Sequence, residues 1–152
     1  MWQGSVVSIS IAPAESEPTR LVDQVRAIAG RGLEGDRYCK PDGEAWEDPG
    51  KEITLIGVEA IDAMSREIGV VLEYKDARRN IITRDVPLND LIDKEFAVGD
   101  VRVKGIRLNE PCQHLAGLTD HKVLRGLVHR GGLRAQILND GQIRVGDTVE
   151  GQ

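Results

Sequence analysis

With only two cysteines in 152 residues, Cys39 and Cys112, the chain has too few for a disulfide framework, and their spacing matches no zinc motif. A reducing, cytoplasmic setting follows as the expectation. Aromatic residues supply only 3% of the chain, so its core must be aliphatic, and the share of Val and Ile within it favours sheet. No apolar run reaches the length of a membrane span, and the first residues lack a basic segment followed by an apolar one. Neither an anchor nor a signal peptide is therefore expected. Positive charge is not in excess either: a formal net charge of −5 argues against a surface that attracts nucleic acid as a whole, although arginines gathered locally can still take an anion. What remains, 40% hydrophobic and 30% charged, fits one soluble domain spanning 1–152.

Extended segments dominate. Ser5 to Ala12 reads as a strand with Val7, Ile9 and Ile11 on one face, and Leu21 to Ala29 as a second strand, although Leu21, Val25 and Ile28 also fit helical spacing. Pro13 to Thr19 is a polar loop. In Gly30-Arg31-Gly32-Leu33-Glu34-Gly35-Asp36-Arg37 three glycines separate charged groups. Such a backbone can bend sharply and approach a ligand, or it can be a structural turn in which Asp36 caps or pairs with Arg37. It carries neither the lysine nor the hydroxyl of a nucleotide P-loop. Cys39 to Lys51, with two prolines and two glycines around Trp46, is predicted to be a surface loop able to fold over a site. Glu52 to Ile56 is a short strand. Val58 to Ile68 is the clearest amphipathic helix, ended by Gly69, and Val70 to Leu72 start another extended piece.

Asp76-Ala77-Arg78-Arg79-Asn80-Ile81 places two arginines and an asparagine before a β-branched strand. Alternation along a strand puts Arg78 and Asn80 on one side and Arg79 on the other, where one of the arginines is expected to be a solvated partner of Asp76. A guanidinium that faces a cavity can clamp an oxyanion through two bonds. Pro87 to Asp93 fits a turn or a single helical turn. After the Gly99-Asp100 turn, Val101 to Leu108 alternates as a half-buried strand. Asp120 to His129 has short-helix spacing, Leu133 to Leu138 is a strand, Asp140-Gly141 a hairpin turn, and Gln142 to Val149 the last strand.

The segment Asn109-Glu110-Pro111-Cys112-Gln113-His114-Leu115 sits where that half-buried strand must stop, because Pro111 lacks an N–H and restricts the residue before it. Glu110 is then the last extended residue, with Cys112 just past the end. The thiol is either a small buried hydrophobe or a reactive group, and its polar flanks and the nearby arginine- and glycine-bearing segments favour the second. His114 follows two residues on, with either a tuning or a bland packing role. Strands joined by Gly-Asp turns, with few helices, predict a mainly β domain, α+β by content, closed or nearly closed into a barrel.

The ordered set Gly32-Leu33-Glu34-Gly35-Asp36-Arg37, Arg79-Asn80-Ile81, Phe96-Ala97-Val98-Gly99-Asp100, Pro111-Cys112 with Leu115, Arg130-Gly131-Gly132 and Asp140-Gly141-Gln142-Ile143-Arg144-Val145-Gly146-Asp147 resembles a stand-alone MOSC domain. That family is named for the carboxy-terminal domain of molybdenum-cofactor sulfurases. The resemblance implies a β-barrel that handles the molybdenum cofactor (molybdopterin) or sulfur. It implies that Cys112 is the catalytic residue, carrying persulfide sulfur or ligating molybdenum. It also implies a pocket lined by Arg37, Asn80 and Arg130, with Gly131 in the same motif as Arg130; Arg78, on the Asn80 side of its strand, and His129, beside Arg130, are further candidates for cofactor binding. The chain departs from many such proteins in having Tyr38 where they have histidine and Arg79 where they have glutamate.

Two function classes follow. One is an enzyme, a molybdenum-dependent oxidoreductase acting on N-hydroxylated compounds or a sulfur transferase. The other is a non-catalytic carrier delivering sulfur or cofactor to a molybdoenzyme. The sequence shows no flavin, haem or iron–sulfur motif, so an oxidoreductase would draw electrons from a partner protein. It shows no pyridoxal-phosphate desulfurase segment either, so sulfur would come from a separate donor. No nucleic-acid or membrane partner is expected.

Overall fold

The computed structural model describes residues 2–14, 18–69, 73–74, 78–109 and 132–151, and eleven strands and one α-helix lie among them. The strands are β1 (Gln3–Ile11), β2 (Arg20–Val22), β3 (Gln24–Ile28), β4 (Gly32–Leu33), β5 (Ile53–Gly57), β6 (Ile81–Arg84), β7 (Glu95–Val98), β8 (Val101–Leu108), β9 (Leu133–Ile137), β10 (Gly141–Arg144) and β11 (Thr148–Gly151); the helix, α1, is Val58–Ile68. Among the described residues, β1, β11, β7, β8, β9, β5 and β6 pair in that order, and β6 pairs back to β1. The sheet closes on itself and leaves those strands no free edge. β2 extends it from β1, and β10, β3 and β4 form a second, small sheet.

The barrel strands pair antiparallel except β5 beside β6. A parallel pair requires a crossover too long for a hairpin, and α1 lies within it. Gly69 stops the helix in a left-handed conformation, φ 68°, with its N–H on the Ser65 carbonyl. Ile61 and Val58 bury against Ile56 and Ile82, so α1 packs on the outside of the barrel. The interior is aliphatic, with Phe96 its one buried ring among Ile9, Leu55, Ile81, Val103, Leu133 and Val149.

Several local expectations change. The β1–β6 register shifts between Val6 and Ser8, so Val6 joins Ile9 and Ile11 inside the barrel, and Val7 packs against the α1 cluster instead. Leu21 to Ala29 is extended, but it breaks at Asp23: β2 stays with β1 while β3 leaves for the small sheet. Asp140-Gly141 is not a hairpin turn. β10 pairs with β3, and the Asp140 carboxylate accepts the Ala29 N–H at 2.8 Å. Gln142 to Val149 is correspondingly divided at Gly146-Asp147 between the two sheets. β8 ends at Leu108, and Glu110, expected to be the last extended residue, lies outside the described residues. The β8–β9 register shifts just after Gly105, where a Cβ would collide with the Leu91 carbonyl. Pro87 to Asp93 holds a short 3-10 turn at Leu88–Asp90. No described helix is long and apolar enough to cross a membrane.

Glu52, 3% exposed, ties the glycine-rich turn to the barrel: its Oε1 accepts the N–H groups of Gly30 and Ile137, both at 3.0 Å. Burial raises its pKa, and those two hydrogen bonds only partly oppose the rise. The folded protein therefore binds this proton more readily than the unfolded chain, and the Glu52 contribution to stability falls as pH rises from the unfolded value of 4.5 through the folded one. In denaturant melts across pH 4–8, Glu52→Gln, which keeps an oxygen for both donors, is expected to lose that component of the pH slope. Glu52→Ala should cost about 1–3 kcal/mol for each N–H left without an acceptor. A wild-type slope unchanged in Glu52→Gln would count against this assignment.

Candidate functional site

At one end of the barrel, where β1 finishes and β5 and β6 begin, lies a cavity of about 120 Å³. Its walls come from segments far apart in sequence: Ser10 and Ala12, Asp36 to Tyr38, Lys51 and Thr54, Arg78 to Asn80, Asn109, and Arg134. Five of these residues are cationic and one, Asp36, is acidic. The chain as a whole is anionic, so this is a local reversal of sign.

Asn80 organises the cavity floor. Its Oδ1 accepts from the Thr54 backbone N–H and the Thr54 hydroxyl, both at 3.1 Å, and its Nδ2 donates to the Ser10 carbonyl at 3.2 Å. The Ser10 and Asn80 backbones are also joined, Ser10 N–H donating to Asn80 C=O at 2.7 Å. Asn80 thus spans β1, β5 and the start of β6, and its amide is engaged in holding the wall. It positions the site rather than offering free donors to a ligand.

The glycine-rich turn delivers Arg37. Gly30, Gly32 and Gly35 all take positive φ, and the chain returns so that Asp36 Oδ1 accepts the Ala12 N–H at 2.9 Å and the Arg37 N–H donates to the Ala12 carbonyl at 2.7 Å. Asp36, read as capping its own turn or pairing with Arg37, instead uses Oδ1 to tether the turn to the end of β1. Burial raises the Asp36 pKa, against the lowering effects of the Ala12 and Tyr38 N–H groups, Arg37 and Asn80.

Arg78 arrives differently from the expectation. It precedes β6 and has φ 52°, a left-handed conformation that costs a non-glycine residue about 1–2 kcal/mol, so strand alternation does not apply to it. Arg78, Arg79 and Asn80 consequently all line the same cavity. Arg79 is not a solvated edge residue: it is 7% exposed and donates to the Asn109 carbonyl at 3.4 Å, while Asp76 lies outside the described residues. Burial first, then repulsion from Arg37, lowers the Arg78 pKa.

Among the described residues, three buried polar side-chain atoms have no hydrogen-bond partner: Ser10 Oγ, Arg37 Nε and Arg78 Nη2. All three belong to residues lining this one cavity. Two guanidinium groups that repel each other, each with an unused buried N–H, and a hydroxyl beside them are the donor set an oxyanion satisfies.

A family model for the MOSC domain matches residues 42–150. The chain belongs to the MOSC domain family. This is a molybdenum-cofactor-related family, and the closed barrel is its fold. The YUAD protein from Bacillus subtilis superimposes with a TM-score of 0.83 at 17% identity, covering 99% of this chain and 97% of that one. YiiM from Geobacillus stearothermophilus gives 0.75 at 15% identity over 98% and 75%, and YiiM from Escherichia coli 0.69 at 15% over 100% and 70%. At those identities the likeness is one of fold. No curated protein matches the chain.

Of the site residues expected from the sequence, Arg37, Arg78 and Asn80 meet in the cavity, although Arg37 precedes the span matched by the family model. Cys112, His114, His129, Arg130 and Gly131 lie outside the described residues, as does the helix read over Asp120 to His129. The described residues on either side of that stretch are joined: Asn109, 4% exposed and part of the cavity wall, donates its N–H to the Gly132 carbonyl at 2.7 Å. Cys112 is three residues beyond Asn109 in the chain. Among the described residues no group of three or more His, Cys, Asp or Glu side chains could hold a metal. Cys39 is partly exposed, with its pKa raised mainly by burial, and it does not line the cavity.

The sequence reading missed Ser10, Thr54, Lys51, Asn109 and Arg134. Ser10 and Thr54 look like ordinary polar positions of alternating strands, and only barrel closure shows that they share a cavity.

The strain at residue 78 separates fold from function. Arg78→Gly removes the guanidinium and the left-handed penalty together, so it should melt no lower than Arg78→Ala while both lose anion affinity, as thermal melts and sulfate titration will show. Asp36→Asn keeps an oxygen for the Ala12 N–H and removes the one negative charge. It should bind sulfate more tightly at pH 7 than wild type. It should also abolish the wild-type gain in sulfate affinity as falling pH protonates Asp36; equal affinities across pH would contradict this.

Proposed function

We propose that this MOSC protein binds the molybdenum cofactor, with Arg37 and Arg78 taking its phosphate and Cys112 providing the protein sulfur that meets molybdenum or carries sulfane sulfur. The observation that supports this most is the convergence of three unsatisfied buried polar atoms on one cationic cavity. A phosphate fits that donor set, since each guanidinium can give paired N–H bonds and Ser10 can donate its hydroxyl hydrogen. A cavity of about 120 Å³ suits the phosphate end of a ligand, leaving the rest to extend beyond it.

The thiolate side rests on chemistry and on chain position. Soft thiolate is a suitable ligand for a thiophilic metal and a suitable carrier of sulfane sulfur. Cationic groups near a thiol favour its ionised form, and Cys112 follows the cavity-wall residue Asn109 by three positions in the chain. In this reading Arg37 and Arg78 bind and orient the ligand, Asn80 holds the floor that sets their spacing, and Asp36 limits the net charge of the cavity. The cofactor, when bound, supplies the redox chemistry for reducing N-hydroxylated compounds, with electrons from an external donor protein. Without the metal, the same thiol would make the chain a sulfur or cofactor carrier for a molybdoenzyme.

Purification from cells that make the cofactor, followed by molybdenum and pterin analysis, tests the proposal. Wild type should retain both in similar amounts, Cys112→Ser should lose the metal or the cyanide-labile sulfur, and Arg78→Gly should lose the pterin. Transferable persulfide without metal would favour the carrier. Wild type that holds neither metal, pterin nor persulfide would refute the cofactor reading.

A further inference from the structure

We propose that Tyr38 and Trp46 are positioning residues that hold Arg37, Lys40 and Lys51 over aromatic faces, so that these cations reach a phosphate-bearing ligand with their charge unneutralised. This rests on the anion-site reading above and adds the means by which the rim of the cavity keeps its charge.

The Arg37 guanidinium carbon lies 4.5 Å from the Tyr38 ring centre, and its Nη2 approaches the Tyr38 hydroxyl at 3.5 Å. Lys40 Nζ lies 4.3 Å and Lys51 Nζ 5.5 Å from the Trp46 ring centre. Among the described residues none of these three cations forms an ion pair. Several arginines, by contrast, are paired: Arg26 with Asp140, Arg31 with Asp42, Arg102 with Glu95, and Arg107 with Asp48. Carboxylates do lie nearby, Asp36 acting on Arg37 and Asp48 on Lys51 at longer range, but none of the described ones is in direct ion-pair contact with these three cations.

The difference has a physical meaning. A carboxylate partner cancels the cation it orients and must be pushed aside by an incoming anion. A ring face orients the cation through its quadrupole and brings no net charge. Placement of the rings agrees with that role. Of the five aromatic residues, Phe96 is buried and packs edge-on with Trp2, and Tyr74 packs against the α1 cluster. Tyr38, by contrast, is 43% exposed at the cavity rim, too open to be there for packing. Trp46 is fixed beside it, its indole N–H donating to the Tyr38 carbonyl at 2.8 Å and its backbone N–H to Gly30 C=O at 2.8 Å. The loop read as able to fold over a site is thus attached to the cavity through these two rings.

Titration with inorganic phosphate, followed calorimetrically and by Trp fluorescence, tests the inference on the full chain. Tyr38→Phe keeps the ring and should bind within about twofold of wild type, whereas Tyr38→Leu should bind about fivefold to tenfold more weakly. The melting temperature should change little in either, because the side chain is exposed. Trp46→Leu should weaken binding in the same direction. Equal phosphate affinity in Tyr38→Leu and wild type would overturn the role given to the rings while leaving the anion site standing. Tyr38→Phe as weak as Tyr38→Leu would assign the effect to the hydroxyl and overturn it as well. A wild-type protein that takes up no phosphate would remove the anion site itself, and this inference with it.

Discussion

Two arginines share one cavity in this protein, and like charges do not stay together unless the surrounding structure holds them. Burial and the neighbouring charge of Arg37 lower the tendency of Arg78 to remain protonated, and each arginine keeps a buried N–H without an acceptor. The cost of that arrangement is met by the fold. A glycine-rich turn is locked to Ala12 on one side, a left-handed residue is held at the entrance to β6 on the other, and the Asn80 amide clamps the strands between them. Remove the clamp and nothing would oppose the separation of the two charges.

Barrel closure makes the clamp possible. The cavity draws on the end of β1, the starts of β5 and β6, the residue after β8 and a residue of β9, which become neighbours only when the sheet returns to its first strand. The register of β1 against β11, Gln3 with Glu150 to Ser5 with Thr148, fixes where that return occurs. β1 pairs with β11 over Gln3 to Ser5 and with β6 from Ser5 to Ile9, across the register shift between Val6 and Ser8, so that Ser10 arrives next to Asn80. One irregularity in a strand thus governs the position of a buried hydroxyl in the cavity wall. Closed barrels transmit such local choices because every strand is constrained on both sides.

Much of this was legible in the chain itself. The mainly β class, the closed barrel, the helix over Val58 to Ile68 and the Gly99-Asp100 turn follow from periodicity and turn chemistry that operate over a few residues. What could not be read depends on longer range. A bulge at Val7 obeys the same alternation rule as a regular strand until the partner's register is known. Asp140-Gly141 has the composition of a hairpin turn, yet β10 finds a better partner in β3. Arg78 and Arg79 were assigned to opposite faces by a rule for extended residues, and positive φ at Arg78 suspends that rule. The arginines themselves were visible as candidates, as was Asn80. Their supports, Ser10, Thr54 and Asn109, carry no local signal because hydroxyl and amide side chains are common wherever a strand meets solvent.

Net charge and local charge have to be argued apart in a molecule like this. A formal charge of −5 makes long-range attraction of anions unfavourable, and salt screens it within about 8–10 Å. Inside a concave, partly desolvated site, screening is weaker and the nearest cations dominate. The acidic exterior therefore costs the cavity little, while it disfavours extended polyanions that would have to lie along the whole surface. Selection for a small anion over a large one follows from that geometry. Asp36 refines it: a carboxylate buried among five cations reduces their mutual repulsion when no ligand is present, and its raised pKa shows that the neighbours do not fully offset its desolvation. A group so placed adjusts the charge of the site with pH, and the cavity sets its five cations against this single counter-charge at its wall.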